Sequence, residues 1–125
     1  MRGEKWEMIK SYRDLEVFKE SYQIALQIHR LTQKYPEFER YEIGTQMRRA
    51  AVSIPLNIAE GYGKKSSEAD FKRFLKIALG SSNEMMVLIE MSKDLGYIEE
   101  EERRVLIERY DVLGKRLSSM IAKWK

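Results

Sequence analysis

Between Arg48 and Gly61 the chain reads Arg-Arg-Ala-Ala-Val-Ser-Ile-Pro-Leu-Asn-Ile-Ala-Glu-Gly. Gln46, Arg49, Ser53, Asn57 and Glu60 recur there at helical spacing, a line of hydrogen-bonding groups on an element otherwise built from Ala, Val and Ile. Pro55 lies inside the same stretch, where its missing N–H and its ring normally cost a helix about 3 kcal/mol. Local conflict of this kind marks a packing or functional role. Ser53 can fold back onto the backbone, and Asn57 can bridge to another helix. Antiparallel packing of the next helix brings Arg49 level with Gly80 to Glu84, so Arg48 or Arg49 is expected to pair with Glu84, within a subunit or across an interface. The line is then a buried polar network fixing helix register, a contact surface for a ligand or RNA, or a chance alignment of solvated residues.

Catalytic constellations are absent from the sequence. His29, the one histidine, falls on an apolar stripe and is expected as a packed core residue rather than a base or ligand. Without a second histidine, a bundle-type site of carboxylates and histidines cannot be completed. The chain has no cysteine, which rules out disulfides and thiolate metal sites. Gly61-Tyr62-Gly63-Lys64-Lys65-Ser66 lacks the spacing and the preceding strand of a phosphate loop, and reads as a turn. Ser81 and Ser82 have no base that sequence can place beside them. No catalysis, cofactor, metal or small-molecule substrate is expected.

Positive charge is the remaining candidate. It gathers at Arg48-Arg49, Lys64-Lys65, Lys72-Arg73 with Lys76, Arg103-Arg104 and Lys115-Arg116. Lys64, Lys65, Lys72, Arg73 and Lys76 belong at one end of the fold, with Arg48-Arg49 further along. A net charge of +3, from 23 basic and 20 acidic residues, permits nucleic-acid contact without demanding it. On one copy these clusters read as solvated faces. Cyclic symmetry would gather equivalent clusters into a ring whose fields add, and binding there would be phosphate-led and salt-sensitive.

Four helices must position these groups. The first is expected after Ser11 or Asp14, both good caps, and runs to about Lys34, before Tyr35-Pro36. The second spans Gly44 or Thr45 to Tyr62, with Gly61-Tyr62-Gly63 as a left-handed stop. The third opens at Ser67 with an acidic group three residues on, and ends at Leu95 before Gly96. The fourth starts among Glu99 to Glu102 and finishes near Lys123 and Lys125, each charge suited to its helix end. Short connections imply an all-α, antiparallel up-down-up-down four-helix bundle of residues 11–125. Residues 1–10 read as a flexible leader from which Trp6, Met8 and Ile9 could dock. No run is long and apolar enough to span a bilayer and no signal-peptide core is present, so cytoplasmic residence is expected.

The first and third helices each carry two apolar stripes. Leu15, Phe18, Tyr22, Ala25, His29 and Thr32 lie beside Val17, Ser21, Ile24, Ile28 and Leu31. Phe71, Leu75, Ala78, Ser82, Met85, Ile89 and Ser92 lie beside Phe74, Ser81, Leu88, Met91 and Leu95. One core needs one face about 100° wide, so the extra stripes are expected to seal a subunit interface. The fourth helix carries a single seam of Leu106, Tyr110, Leu113, Leu117, Met120 and Trp124.

These residues resemble the four-helix-bundle proteins encoded within intervening sequences of bacterial 23S ribosomal RNA genes. Ser11 to Phe18 resembles the family's opening, and Thr45 to Gly61 its central signature. Phe74 to Glu84, then Leu95-Gly96-Tyr97, resemble its third-helix motif. Phe18 stands where Trp is common, and Gly44 where a Thr or Ser cap is common. The resemblance implies a homopentameric ring of antiparallel bundles. It also implies similarity to the accessory variability proteins of diversity-generating retroelements, basic pentamers that bind a reverse transcriptase and nucleic acid. The expected function is a non-enzymatic ring that binds structured RNA or a nucleoprotein partner; the alternative is a protein adaptor, for example for a reverse transcriptase.

Overall fold

Ser11 starts the fold by accepting a hydrogen bond from the Arg13 N–H at 3.1 Å, while the Asp14 carboxylate accepts from the Lys10 and Ser11 N–H groups. This box closes a 3-10 turn, Tyr12–Asp14, ahead of the first helix. The computed structural model describes residues 8–124; Trp6 and most of the expected leader, and Lys125, lie outside the described residues. Four long helices follow: α1 (Glu16–Thr32), α2 (Ile43–Gly63), α3 (Glu68–Asp94) and α4 (Glu100–Lys123), with a short helical turn Glu37–Arg40 between α1 and α2. There is no strand among the described residues.

The caps act as their residue types dictate. Ser67 Oγ accepts from the Asp70 N–H at 3.2 Å, and the Glu99 N–H donates to the Glu102 carboxylate at 3.1 Å. Gly96 takes φ +84. Its N–H reaches the Lys93 carbonyl and the Tyr97 N–H reaches the Ser92 carbonyl at 2.8 Å, closing the end of α3 in a Schellman motif.

The end of α2 differs from the expected left-handed stop. Gly96 is the one residue with positive φ among the described residues, so α2 stays right-handed through Gly63. Gly61 is required for space: a Cβ there would lie 2.7 Å from Phe74 Cβ and 3.0 Å from Phe71 Cδ1. Gly44, likewise, lies inside α2 rather than capping it. Its Cβ would meet the Arg48 guanidinium at 3.0 Å and the Glu39 carbonyl at 3.2 Å.

Helix α2 packs against both α1 and α3, and α3 packs against α4; α1 and α4 touch much less. Contacts along α2 rise in number as those on α3 fall. Gly61 meets Phe71 and Phe74, Ser53 meets Ser81, and Met47 Sδ accepts from Ser92 Oγ. The seam of α4 is fully buried, ending where Trp124 meets Phe71 edge-on at 4.7 Å between ring centres. Each such large side chain removed from water contributes roughly 1.5–3 kcal/mol before entropy is counted.

The doubled stripes separate into a core half and an outer half. Val17, Ser21, Ile24, Ile28 and Leu31 are all buried. Beside them Leu15, Ala25 and Thr32 are buried but Phe18 is only half-buried, and Tyr22 and His29 are exposed. His29 is therefore not the packed core residue its stripe suggests, because the stripe drifts around α1 onto the outer surface. On α3, Phe74 and Leu88 are covered while Met91 and Leu95 are not.

Candidate nucleic-acid interface

The turn between α2 and α3 brings Lys64, Lys65, Lys72, Arg73 and Lys76 to one end of the bundle. Phe74 holds two of them. Lys64 Nζ lies 5.3 Å from its ring centre and the Arg73 guanidinium 4.5 Å. Lys65 Nζ sits 4.5 Å from the Tyr62 ring centre. Such contacts are worth about 0.5–1 kcal/mol at exposed sites, and they orient the cations without neutralising them. Lys64, Arg73 and Lys76 are exposed and meet no carboxylate at ion-pair distance among the described residues. Lys72 differs: it pairs with Glu68 at 3.2 Å and is largely covered. Lys123 and Arg116 of α4 join the same end, around a hollow with Leu15, Val17 and Met120.

The opposite end is richer in carboxylates, although Arg30 and Lys34 stand there beside Glu101 and Glu102. Glu99 to Glu102 open α4 near Lys93, and Glu37 and Glu39 lie on the helical turn. Arg103 and Arg104 do not offset this as free cations. Each grips a carboxylate of its own helix, Glu100 at 2.6 Å and Glu101 at 2.7 Å. Those hydrogen bonds hold the Glu100 and Glu101 carboxyls below their ordinary range.

Arg48 and Arg49, neighbours in sequence, have different surroundings. Arg48 is half-buried and donates to Thr32 Oγ1 at 2.9 Å, to the Arg40 carbonyl at 2.8 Å and to Thr45 Oγ1 at 3.2 Å. It ties the α1–α2 connection together and is not presented to a ligand. Arg49 is exposed and unpaired among the described residues, and so is Glu84. The expected pairing of either arginine with Glu84 is not made within the chain.

The polar line on α2 faces outward rather than into a buried network. Gln46, Arg49 and Glu60 are exposed, and Ser53 and Asn57 half-buried. The expected roles of the last two are exchanged. Asn57 folds back, its Nδ2 donating to the Ser53 carbonyl at 2.8 Å and to Ser53 Oγ at 3.0 Å. Ser53 makes the bridge, accepting from Ser81 Oγ of α3 at 2.9 Å. Beside this line His29, Arg48, Val52 and Leu56 border a shallow groove. It continues into an apolar groove between α1 and α2 lined by Phe18, Tyr22, Leu26, Pro55 and Leu56. The one sequence signal for that groove is Tyr22 and His29 on the same stripe, two residues with polar tips that a dry core seldom takes.

No group of three or more potential metal ligands gathers among the described residues. No helix among them is long and apolar enough to cross a membrane.

The sequence profile of the 23S rRNA-intervening sequence proteins matches residues 13–119. The fold is similar to the crystal structure of a protein of unknown function from the S23 ribosomal protein family of Bacteroides thetaiotaomicron, with 28% identity and a TM-score of 0.77. That likeness covers 84% of this chain and 97% of the other. No curated protein sequence matches the chain significantly. A profile match over so much of the bundle, joined to the similar fold, identifies the chain as a member of the 23S rRNA-intervening sequence protein family.

Proposed function

We propose that this protein is a non-enzymatic, ring-forming up-down-up-down bundle that binds structured RNA through its basic end. The observation that carries this reading is the pair Lys64 and Lys76, exposed and without acidic partners among the described residues, with Lys64 resting on Phe74. A-form RNA offers side chains mainly phosphates and 2′-hydroxyls, and a cluster of fixed cations suits that surface better than it suits base-edge recognition. The family's link to 23S ribosomal RNA genes points to the same ligand class. A ring would repeat the cluster around its axis, so that weak individual contacts add.

The test is binding of a labelled RNA hairpin across a salt series. Affinity should fall linearly with log salt, by roughly 0.7–0.9 log units per phosphate neutralised and per tenfold salt. Lys64→Glu and Lys76→Glu should each reduce both affinity and slope. Absence of hairpin retention at low salt would overturn the reading. Salt-insensitive capture of a reverse transcriptase, with no RNA bound, would instead support the adaptor alternative.

A further inference from the structure

Two surfaces of the bundle are left uncovered, and they complement one another. The first is the groove between α1 and α2, where Tyr22 is 48% and Leu56 61% exposed. Arg49 stands on its outer rim near one end and Glu60 nearer the other. The second is the outer ridge of α3. Arg73, Ile77, Gly80, Glu84, Val87 and Met91 follow one another there at spacings of three and four, and all are exposed.

Gly80 argues that the ridge meets another molecule. A glycine inside a helix costs about 0.5–1 kcal/mol relative to alanine. Among the described residues a Cβ at Gly80 would meet nothing within 4 Å, so packing between them gives no reason for it. Close approach of another backbone or ring would.

Charge says which molecule. Arg49 and Glu60 stand eleven residues apart on α2, and Glu84 and Arg73 stand eleven apart on α3, roughly 16 Å in each case. Both helices run from positive to negative in chain order. When an α3 ridge lies antiparallel to α2, both opposite-charge pairs align together. Side-by-side copies with parallel axes meet that condition, because Ser53 and Ser81 already show which heights on α2 and α3 correspond.

We propose that the α3 ridge of one copy seats in the α1–α2 groove of a second copy, with Glu84 against the neighbour's Arg49 and Arg73 against its Glu60. The inference rests on the ring reading above and names the contact that makes it. Ridge and groove are different surfaces of the bundle, so the contact is heterologous, of the kind that generates a ring when its rotation closes.

Sedimentation velocity of the full chain tests it. Arg49→Glu and Glu84→Arg should each weaken association at least tenfold, and the double exchange should restore it. Gly80→Leu should abolish association while circular dichroism shows an intact, equally stable helical monomer. Single exchanges that leave association unchanged, or a double exchange that fails to rescue, would overturn this contact while leaving the ring itself standing. A wild-type protein that sediments as one copy at micromolar concentration would overturn both.

Discussion

Arg48 donates to Thr32 Oγ1 at 2.9 Å, and Thr32 Oγ1 in turn donates to the Ile28 carbonyl at 3.0 Å. A side chain from the start of α2 thereby closes the end of α1. The same guanidinium satisfies the Arg40 carbonyl in the connection between them.

Removing this group should cost far more than removing its neighbour. Arg48→Met leaves two hydroxyls and a carbonyl short of a charged donor, a loss of about 1–3 kcal/mol. Arg49→Met, at a position exposed and unpaired among the described residues, should stay within about 0.5 kcal/mol. Urea melts in the Gly80→Leu background, where one copy is read, compare the two directly. Equal losses would contradict the assignment.

Two glycines near the end of α2 should behave oppositely. Gly61→Ala places a Cβ against Phe74 Cβ and the Phe71 ring, which must shift at about 1–3 kcal/mol. Gly63→Ala meets nothing within 4 Å on a right-handed backbone, and should stabilise by about 0.4–1 kcal/mol through the unfolded state. Thermal melts of the two variants give the signs.

Tyr110 carries a hydroxyl that is buried without a hydrogen-bond partner among the described residues, and burial pushes its ionisation upward. Tyr110→Phe keeps the ring and removes a dehydrated polar group. Stability should be unchanged or higher by up to about 1 kcal/mol. A markedly lower melting temperature would show that the hydroxyl has a partner after all.

Alkaline stability should depend on Tyr97. Its hydroxyl donates to the Glu39 carboxylate at 2.6 Å, which raises its ionisation to about 12. The unfolded value is about 10. A group raised in the folded state stabilises fully below the unfolded value, and that contribution disappears as pH climbs from about 10 towards 12. Tyr97→Phe should therefore flatten the fall of melting temperature across that window relative to wild type, as circular dichroism would record.

What the sequence makes legible here is whatever is decided within a few residues. Ser11, Ser67, Glu99 and Gly96 set helix ends through groups three or four positions away, and all four ends fall close to where those residues put them. The buried seam of α4 follows from period alone. Features decided by distant neighbours are not legible. Gly61 resembles a helix stop until Phe74 arrives from α3, and Arg48 resembles a surface cation until Thr32, sixteen residues earlier, receives it. His29 sits on an apolar stripe, but only the packing of α1 on α2 decides which part of that stripe turns outward. At the candidate site, Lys64 and Arg73 could be named from composition. Their shared rest on Phe74 requires the turn to be folded.

The bundle gathers Lys64, Arg73 and Lys76 towards one pole and Glu99 to Glu102 towards the other, which makes each copy an electrical arrow. In the proposed ring, copies standing side by side with parallel axes would point those arrows the same way, and the assembly would have two unlike faces. A polyanion drifting past such a ring would be turned towards one face in preference to the other. Two such assemblies would likewise stack pole to opposite pole, and one could not be flipped over without the difference being felt.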